Sequence, residues 1–212
     1  MKLYDYWRSS ASYRVRIALN LKNLPYESIP IHLLNDEQRE PAFRAINPQG
    51  FVPLLVDDKY AVTQSLAICE YLDEIHPAPP FLPTTPIERA RVRAIALVVA
   101  CDIHPLNNKR ILDYLRAPLG HDTVAVDAWY RHWVDEGLQT LEKMLAGNKQ
   151  TGKFCHGDQI TLADICLVPQ MANALRFACP LENYPTLRRI YAECLKHPAF
   201  DKAQPDQQPD AP

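Results

Sequence analysis

His76-Pro77-Ala78-Pro79-Pro80-Phe81-Leu82-Pro83 carries four prolines in eight residues. Proline lacks a backbone N–H and has a fixed φ, so neither a helix interior nor a central strand can run through this stretch. It reads as a linker, and it divides the chain into two parts with different periodicities. Before it, short runs with strand character alternate with helical ones. After it, apolar residues recur only at helical spacing.

In the first part Leu3–Tyr6 reads as a strand and Ser9–Lys22 as a helix, with Val15, Ile17, Ala18, Leu19 and Leu21 apolar and Arg14 and Arg16 between them. Tyr26–Leu33 reads as a second strand, at an edge or bulge because of Pro30. Asp36–Ile46 reads as a short polar helix. Asn47-Pro48-Gln49-Gly50 is turn chemistry. Val52–Val56 and Tyr60–Val62 form a hairpin, and Thr63–Ile75 an amphipathic helix. The order β-α-β-α-β-β-α over about the first 76 residues implies a mixed sheet flanked by helices. In the second part Pro86–Leu115 reads as one long helix, and Asp122–Leu145 as another with Val126, Trp129, Trp133, Leu138, Leu141 and Leu145 on one face. Thr161 with Asp164 is a capping-box variant that opens a helix over Ile165–Phe177. Tyr184–Lys196 is the last helix, and from Pro198 the tail is too polar and proline-rich to fold alone.

At 212 residues, 47% of them hydrophobic, the chain can build either one large domain or two modest ones. A net charge of −2 without basic clusters argues against nucleic acid or an anionic membrane as partner. The first eight residues include an acid and an arginine where a signal peptide needs an apolar stretch, and no apolar run approaches the ~20 residues of a membrane span. A cytoplasmic location is expected. The six cysteines are scattered with no Cys-x-x-Cys pair, so they read as reduced core thiols, and no metal site is expected.

Three segments carry chemistry. Arg8-Ser9-Ser10-Ala11-Ser12-Tyr13-Arg14-Val15-Arg16 is a strand-to-helix junction lined with hydroxyls, where unpaired N–H groups and the helix dipole favour an anion. A serine there either stabilises a thiolate or simply caps the helix. Phe51-Val52-Pro53-Leu54-Leu55 begins a strand; in a thioredoxin-like layout Pro53 would be cis and leave the Val52 backbone open to an extended peptide. Thr63-Gln64-Ser65 is a second helix N-terminus, suited to a carboxylate or to capping alone.

In this order and spacing the segments resemble the glutathione transferase superfamily over nearly the full length. The run Ser9-x-x-Ser12-x-Arg14-Val15-Arg16-Ile17-Ala18-Leu19 resembles the zeta class, whose bacterial members are maleylacetoacetate and maleylpyruvate isomerases. Further matching segments are Gln64-Ser65-Leu66-Ala67-Ile68, Cys101–Asn108, Leu162-Ala163-Asp164, Leu167-Val168-Pro169-Gln170, Arg176-Phe177 and Gln208–Pro212. The resemblance implies an α/β thioredoxin-like N-terminal domain over residues 1–80 plus an all-α C-terminal helical bundle over 86–212, in a homodimer. It implies glutathione as co-substrate, with Ser9 and Ser10 catalytic at its sulfur and Ser12 beside them. Val52 and Pro53 would pair its backbone, Gln64 and Ser65 would hold its γ-glutamyl carboxylate, and His104 and Asn108, one helical turn apart, would contribute from the second domain. Ala11 stands where the family often has cysteine. Arg8, Arg110 and Arg176 match carboxylate-binding positions and would grip a small dicarboxylate substrate. The implied activity is cis–trans isomerisation of maleylacetoacetate. Maleylpyruvate isomerisation, general transferase or haloacid-dehalogenating activity, and a non-catalytic interaction protein are the alternatives.

Overall fold

Strand β1 (Lys2–Asp5) turns Leu3 and Asp5 to one face, where both are fully buried, and this alternation fixes it inside the sheet. It pairs parallel with β2 (Glu27–Pro30) and antiparallel with β3 (Leu54–Asp57), which pairs antiparallel with β4 (Tyr60–Thr63), giving the order β2-β1-β3-β4. Leu3 lies opposite Leu55 and Ser28. A parallel β1–β2 pair requires a crossover, which helix α1 (Ser10–Leu21) supplies. Pro30 ends the edge strand, where a missing N–H breaks no ladder. The computed structural model describes residues 1–212 as two units, Met1–Phe81 with Leu195–Pro212, and Leu82–Cys194.

In the first unit α3 (Ser65–Ile75) packs beside α1. On the sheet's other side α2 (Pro41–Ile46) buries Phe43, whose ring centroid is 5.8 Å from that of Tyr4. The single helix expected over Asp36–Ile46 is instead two 3₁₀ turns, Leu33–Asn35 and Glu37–Arg39, followed by α2. Asp36 adopts φ +58°, a left-handed conformation that no α-helix continues through, and Pro41 can only start the next one.

Helix α1 is buried almost all round, including the two arginines that the sequence pattern placed between its apolar positions: Arg14 is 2% exposed and Arg16 0%. Arg16 Nη1 lies 2.9 Å from both carboxylate oxygens of Asp5, and Nε donates to Ala203 O at 3.0 Å. Removing one partner of such a buried pair costs about 3–5 kcal/mol, because the other charge stays behind uncompensated.

The sequence placed 195–212 with the helical domain; the structure places it with the first unit. A helical turn, Pro198–Asp201, packs on α1 with Phe200 and Ala203 fully buried, and a 3₁₀ turn, Pro205–Gln207, follows it. Polar side chains of α1 satisfy the tail's carbonyls: Tyr13 Oη donates to Phe200 O, Asn20 to Ala199 O and Arg16 to Ala203 O. The tail folds because α1 supplies the partners it cannot supply itself.

The helical unit holds α4 (Pro86–Leu97), α5 (Lys109–Arg116), α6 (Thr123–Leu145), α7 (Leu162–Arg176) and α8 (Pro185–Cys194). The one helix expected from Pro86 to Leu115 is broken by a π-helical turn, Val98–Ile103, and a 3₁₀ turn, His104–Asn107. Pro105 has no N–H, and its ring clashes with the carbonyl four residues back, so the α ladder cannot pass it. Helix α7 is buried along nearly its whole length, and α4 and α8 pack against it. No helix is long and apolar enough to cross a membrane.

Candidate active site

Between β1 and α1 the chain turns through Tyr6–Ser9, closed by the Ser9 N–H donating to Tyr6 O at 2.9 Å. Ser9 has extended backbone (φ −71°, ψ 118°), and its Oγ accepts the Ser12 N–H at 3.2 Å. It is therefore the N-cap of α1. A hydroxyl has one donor and two acceptor sites. Capping occupies an acceptor, so Ser9 still has an O–H to give. The first turn of α1 has no acidic side chain, which leaves the positive helix end uncompensated. Ser10 is buried beside it, and Ala11, at the family's cysteine position, is partly exposed. Ser12 is 0% exposed, its Oγ has no hydrogen-bond partner, and its amide is committed to Ser9.

Arg8 stacks on its neighbour, with Cζ 5.5 Å from the Trp7 ring centroid. Tyr6 and Val52 share one apolar cluster with Phe43 and Leu54, and Trp7 packs on it. The Val52–Pro53 peptide is cis, as the sequence suggested. No hydrogen bond within the chain uses the Val52 backbone. Asn47, 1% exposed, braces this loop by donating to Phe51 O at 2.6 Å. Gly50 adopts φ +65°, and a Cβ there would sit 2.8 Å from Gln38 O, so the tight approach needs glycine.

At the start of α3, Gln64 is exposed with φ +69° and ψ 116°, a conformation costing about 1–3 kcal/mol for a non-glycine residue, and its Nε2 donates to Gln49 Oε1 at 2.9 Å. Ser65 is buried, and its Oγ accepts from Arg14 Nη1 at 3.1 Å. Arg14 Nε and Nη2 have no partner. A buried, under-satisfied guanidinium beneath a helix N-terminus favours a carboxylate above it. Sequence reading missed Arg14; its signal was the Tyr13-Arg14-Val15-Arg16-Ile17 run, two arginines on a helix with no open face. The residues of this unit fit glutathione: a spare hydroxyl proton at Ser9, unpaired backbone at Val52, and an anion-favouring helix end at Ser65.

In the helical unit His104 begins the 3₁₀ turn, and Asn108 has extended backbone and caps α5, accepting the Arg110 N–H at 3.2 Å. The two are thus not one turn apart on a single helix, because Pro105 ends it. Arg110 is exposed in the first turn of α5. Arg176 is exposed at the end of α7, where Asn173 Oδ1 accepts from Nη2 at 3.3 Å and the Phe177 ring lies 4.7 Å below Cζ. Phe177 in turn stacks on Tyr130, centroids 3.6 Å apart.

All six cysteines are free thiols. Cys101 is exposed, which the core-thiol expectation did not foresee, and the other five are buried. Burial pushes the Cys155, Cys179 and Cys194 thiols up, so these stay protonated and unreactive. Asp164 completes the expected capping box, its carboxylate accepting from the Thr161 N–H and Oγ1 and from the Cys155 N–H, each at 2.8 Å.

The family descriptions "Glutathione S-transferase, N-terminal domain" and "Glutathione S-transferase, C-terminal domain" match residues 3–80 and 121–202. The chain is 50% identical over 211 residues to a probable maleylacetoacetate isomerase of Vibrio cholerae, covering 99% of this chain and 97% of that one. It superposes on the holo structure of a bacterial maleyl pyruvate isomerase, described as a zeta-class glutathione S-transferase, with a TM-score of 0.98 and 47% identity over the whole of both chains. A maleylacetoacetate isomerase from Methylobacterium extorquens AM1 with bound malonate and glutathione gives a TM-score of 0.98 at 43% identity, again over both full chains. The chain belongs to the glutathione S-transferase family, in its zeta class.

Proposed function

We propose that this protein is a glutathione-dependent cis–trans isomerase that converts maleylacetoacetate to fumarylacetoacetate in aromatic amino-acid breakdown. The observation that carries the reading is the Ser9 turn: a hydroxyl with a spare proton at an uncompensated helix N-terminus, next to Arg8, in a chain alike over its full length to isomerases of this kind. When bound, glutathione supplies a thiolate that adds to the activated double bond and is expelled after rotation, so it is returned unchanged.

The chain's own residues have four tasks. The Ser9 hydroxyl, with Ser10 and the α1 N-terminus, favours sulfur as an anion. Val52, ahead of Pro53, offers its unpaired amide and carbonyl to the tripeptide backbone. Gln64 and Ser65 hold the γ-glutamyl carboxylate at the α3 N-terminus, with the Arg14 charge beneath. We assign His104 and Asn108 to glutathione from the second unit by resemblance. Arg8, Arg110 and Arg176 take the substrate carboxylates through paired N–H donors and offset the negative charge that moves onto the conjugated carbonyl. The relative that holds malonate with glutathione fits a site for small dicarboxylates. By the same reasoning glutathione binding falls mainly to the first unit, with His104 and Asn108 added, and substrate binding mainly to the helical one, with Arg8 added, in a cytoplasmic homodimer.

A second reading, maleylpyruvate isomerisation, is favoured by the full-length likeness to a maleyl pyruvate isomerase, and the two substrates share the maleyl head. Turnover of both acids with and without glutathione tests the proposal. Isomerisation should require glutathione without consuming it, and Arg8→Ala and Arg176→Ala should each raise KM about tenfold or more, the loss of a charged hydrogen bond. Equal rates with and without glutathione would reject the glutathione-dependent mechanism, and accumulating conjugate would make the enzyme a transferase. A larger kcat/KM for maleylpyruvate would move the substrate.

A further inference from the structure

The Trp7 peptide is held by charge on both sides. Its N–H donates to the carboxylate of Asp210, the third residue from the C-terminal end of the sequence, at 2.9 Å. Its C=O accepts from Arg16 Nη2 at 3.0 Å, and Arg16 is itself pinned to Asp5. The tail is built to present Asp210. Gln208, 9% exposed, ties the preceding turns together by donating to Lys202 O and Gln204 O at 3.0 and 2.7 Å, and the Ala211 N–H closes on Gln208 O. Beyond Trp7 the chain runs straight into Arg8, which lies on the Trp7 ring, and Ser9, whose amide is tied back to Tyr6 O. The approach to Arg8 and Ser9 from β1 therefore runs through a residue whose N–H is held by the C-terminal tail, in addition to the bonds that Ser9 makes to Tyr6, Ser12 and Tyr13.

We propose that Asp210 is a positioning residue: the C-terminal tail holds the Trp7 peptide and thereby orients Arg8 and Ser9. This rests on the isomerase reading above. Asp210 touches no reacting atom. Without its carboxylate the Trp7 N–H loses its acceptor, the indole platform under Arg8 turns more freely, and the turn that leads into Ser9 keeps only the Arg16 bond to Trp7 O and Ser9's own bonds. A misplacement of the order of 1 Å costs about 10²-fold in rate at a reacting centre, so a loosened rather than displaced turn should cost less.

The test is Asp210→Ala beside Asp210→Asn, in the full chain, with rates expressed per glutathione-binding site counted by calorimetric titration. Asp210→Ala should lower kcat about tenfold through Ser9 and raise KM for the maleyl acid several-fold through Arg8, in line with loss of one charge-assisted hydrogen bond. Asp210→Asn keeps a neutral acceptor for the Trp7 N–H and should recover most of both effects. A merely structural role would reduce the number of binding sites and the melting temperature and leave kcat and KM per site at wild-type values; that outcome overturns the proposal. So does an Asn variant as impaired as the Ala one, since the hydrogen bond would then not be what matters. Wild-type protein that fails to bind glutathione or turn over either acid removes the parent reading, and this inference with it.

Discussion

Removing the Ser9 hydroxyl tests two roles that the structure gives to one atom. Ser9 Oγ caps α1 through a 3.2 Å bond from Ser12 N, at the long end of the N–H···O range, so its stabilising effect lies toward the lower part of the usual cap contribution, about 1 kcal/mol. Its proton, by our reading, goes to the sulfur anion. A hydrogen bond to a charged group contributes about 1.5–3 kcal/mol, and one pH unit corresponds to about 1.4 kcal/mol, so the bound thiol should ionise about 1–2 units higher in Ser9→Ala. Near neutral pH that leaves about 10–100-fold less thiolate and lowers kcat in proportion. Ser9→Gly separates the roles, because glycine is tolerated at an N-cap to within a few tenths of a kcal/mol while lacking the hydroxyl equally. Both variants should therefore lose the same activity. Only Ser9→Ala should lose about 2–4 °C in melting temperature. The assays are ultraviolet titration of enzyme-bound glutathione thiolate, the pH profile of kcat, and thermal melting. If activity follows stability, with Gly near wild type and Ala impaired, or if thiol ionisation stays at its wild-type pH, Ser9 only caps the helix. The thiolate role then passes to Ser10, the next hydroxyl along the turn and less deeply buried than Ser12.

Burial of Tyr130, partly offset by the Arg176 charge, pushes its phenol up to about 12. Above pH 10 the unfolded chain has released this proton while the folded chain keeps it, so stability that is complete below 10 falls through the window from 10 to 12, by about 1.4 kcal/mol per pH unit for one proton. Tyr130→Phe keeps the stacking on Phe177 and should flatten that loss by one proton in urea unfolding at pH 8 and 11; an unchanged pH slope would show that Tyr130 is not the group. Gly137 of α6 faces Ile103 so closely that an added Cβ would overlap the Ile103 side chain. Gly137→Ala should cost about 1–3 kcal/mol in chemical denaturation, and Ile103→Ala in the same chain should relieve part of it; additive losses would refute a direct clash.

The proline-rich break after Ile75, the alternation of strands and helices before it, the cap at Thr161 and the length of α6 were legible in the sequence, because each depends on neighbours within a few residues: a missing N–H, a period of two or 3.6, a side chain reaching three positions along. The hydroxyl-rich start of α1 and the Gln64-Ser65 helix end were legible for the same reason. Distant partners decided the rest. The Tyr13–Ile17 run marks Arg14 and Arg16 only as two charges on a helix without an open face; what keeps them inside is that Ser65, Asp5 and Ala203 meet them there. Nothing local folds the tail, whose few apolar residues, Ala199, Phe200 and Ala203, need a partner surface and whose carbonyls borrow donors from α1. Ser12 reads like Ser9 in sequence, and only packing sets them apart: Ser12 is buried while Ser9 is partly exposed. Local patterns are written by bond geometry and periodicity, whereas the burial of a charge or the docking of a polar tail depends on a compensating group elsewhere in the chain, and only the tertiary structure brings that group within reach.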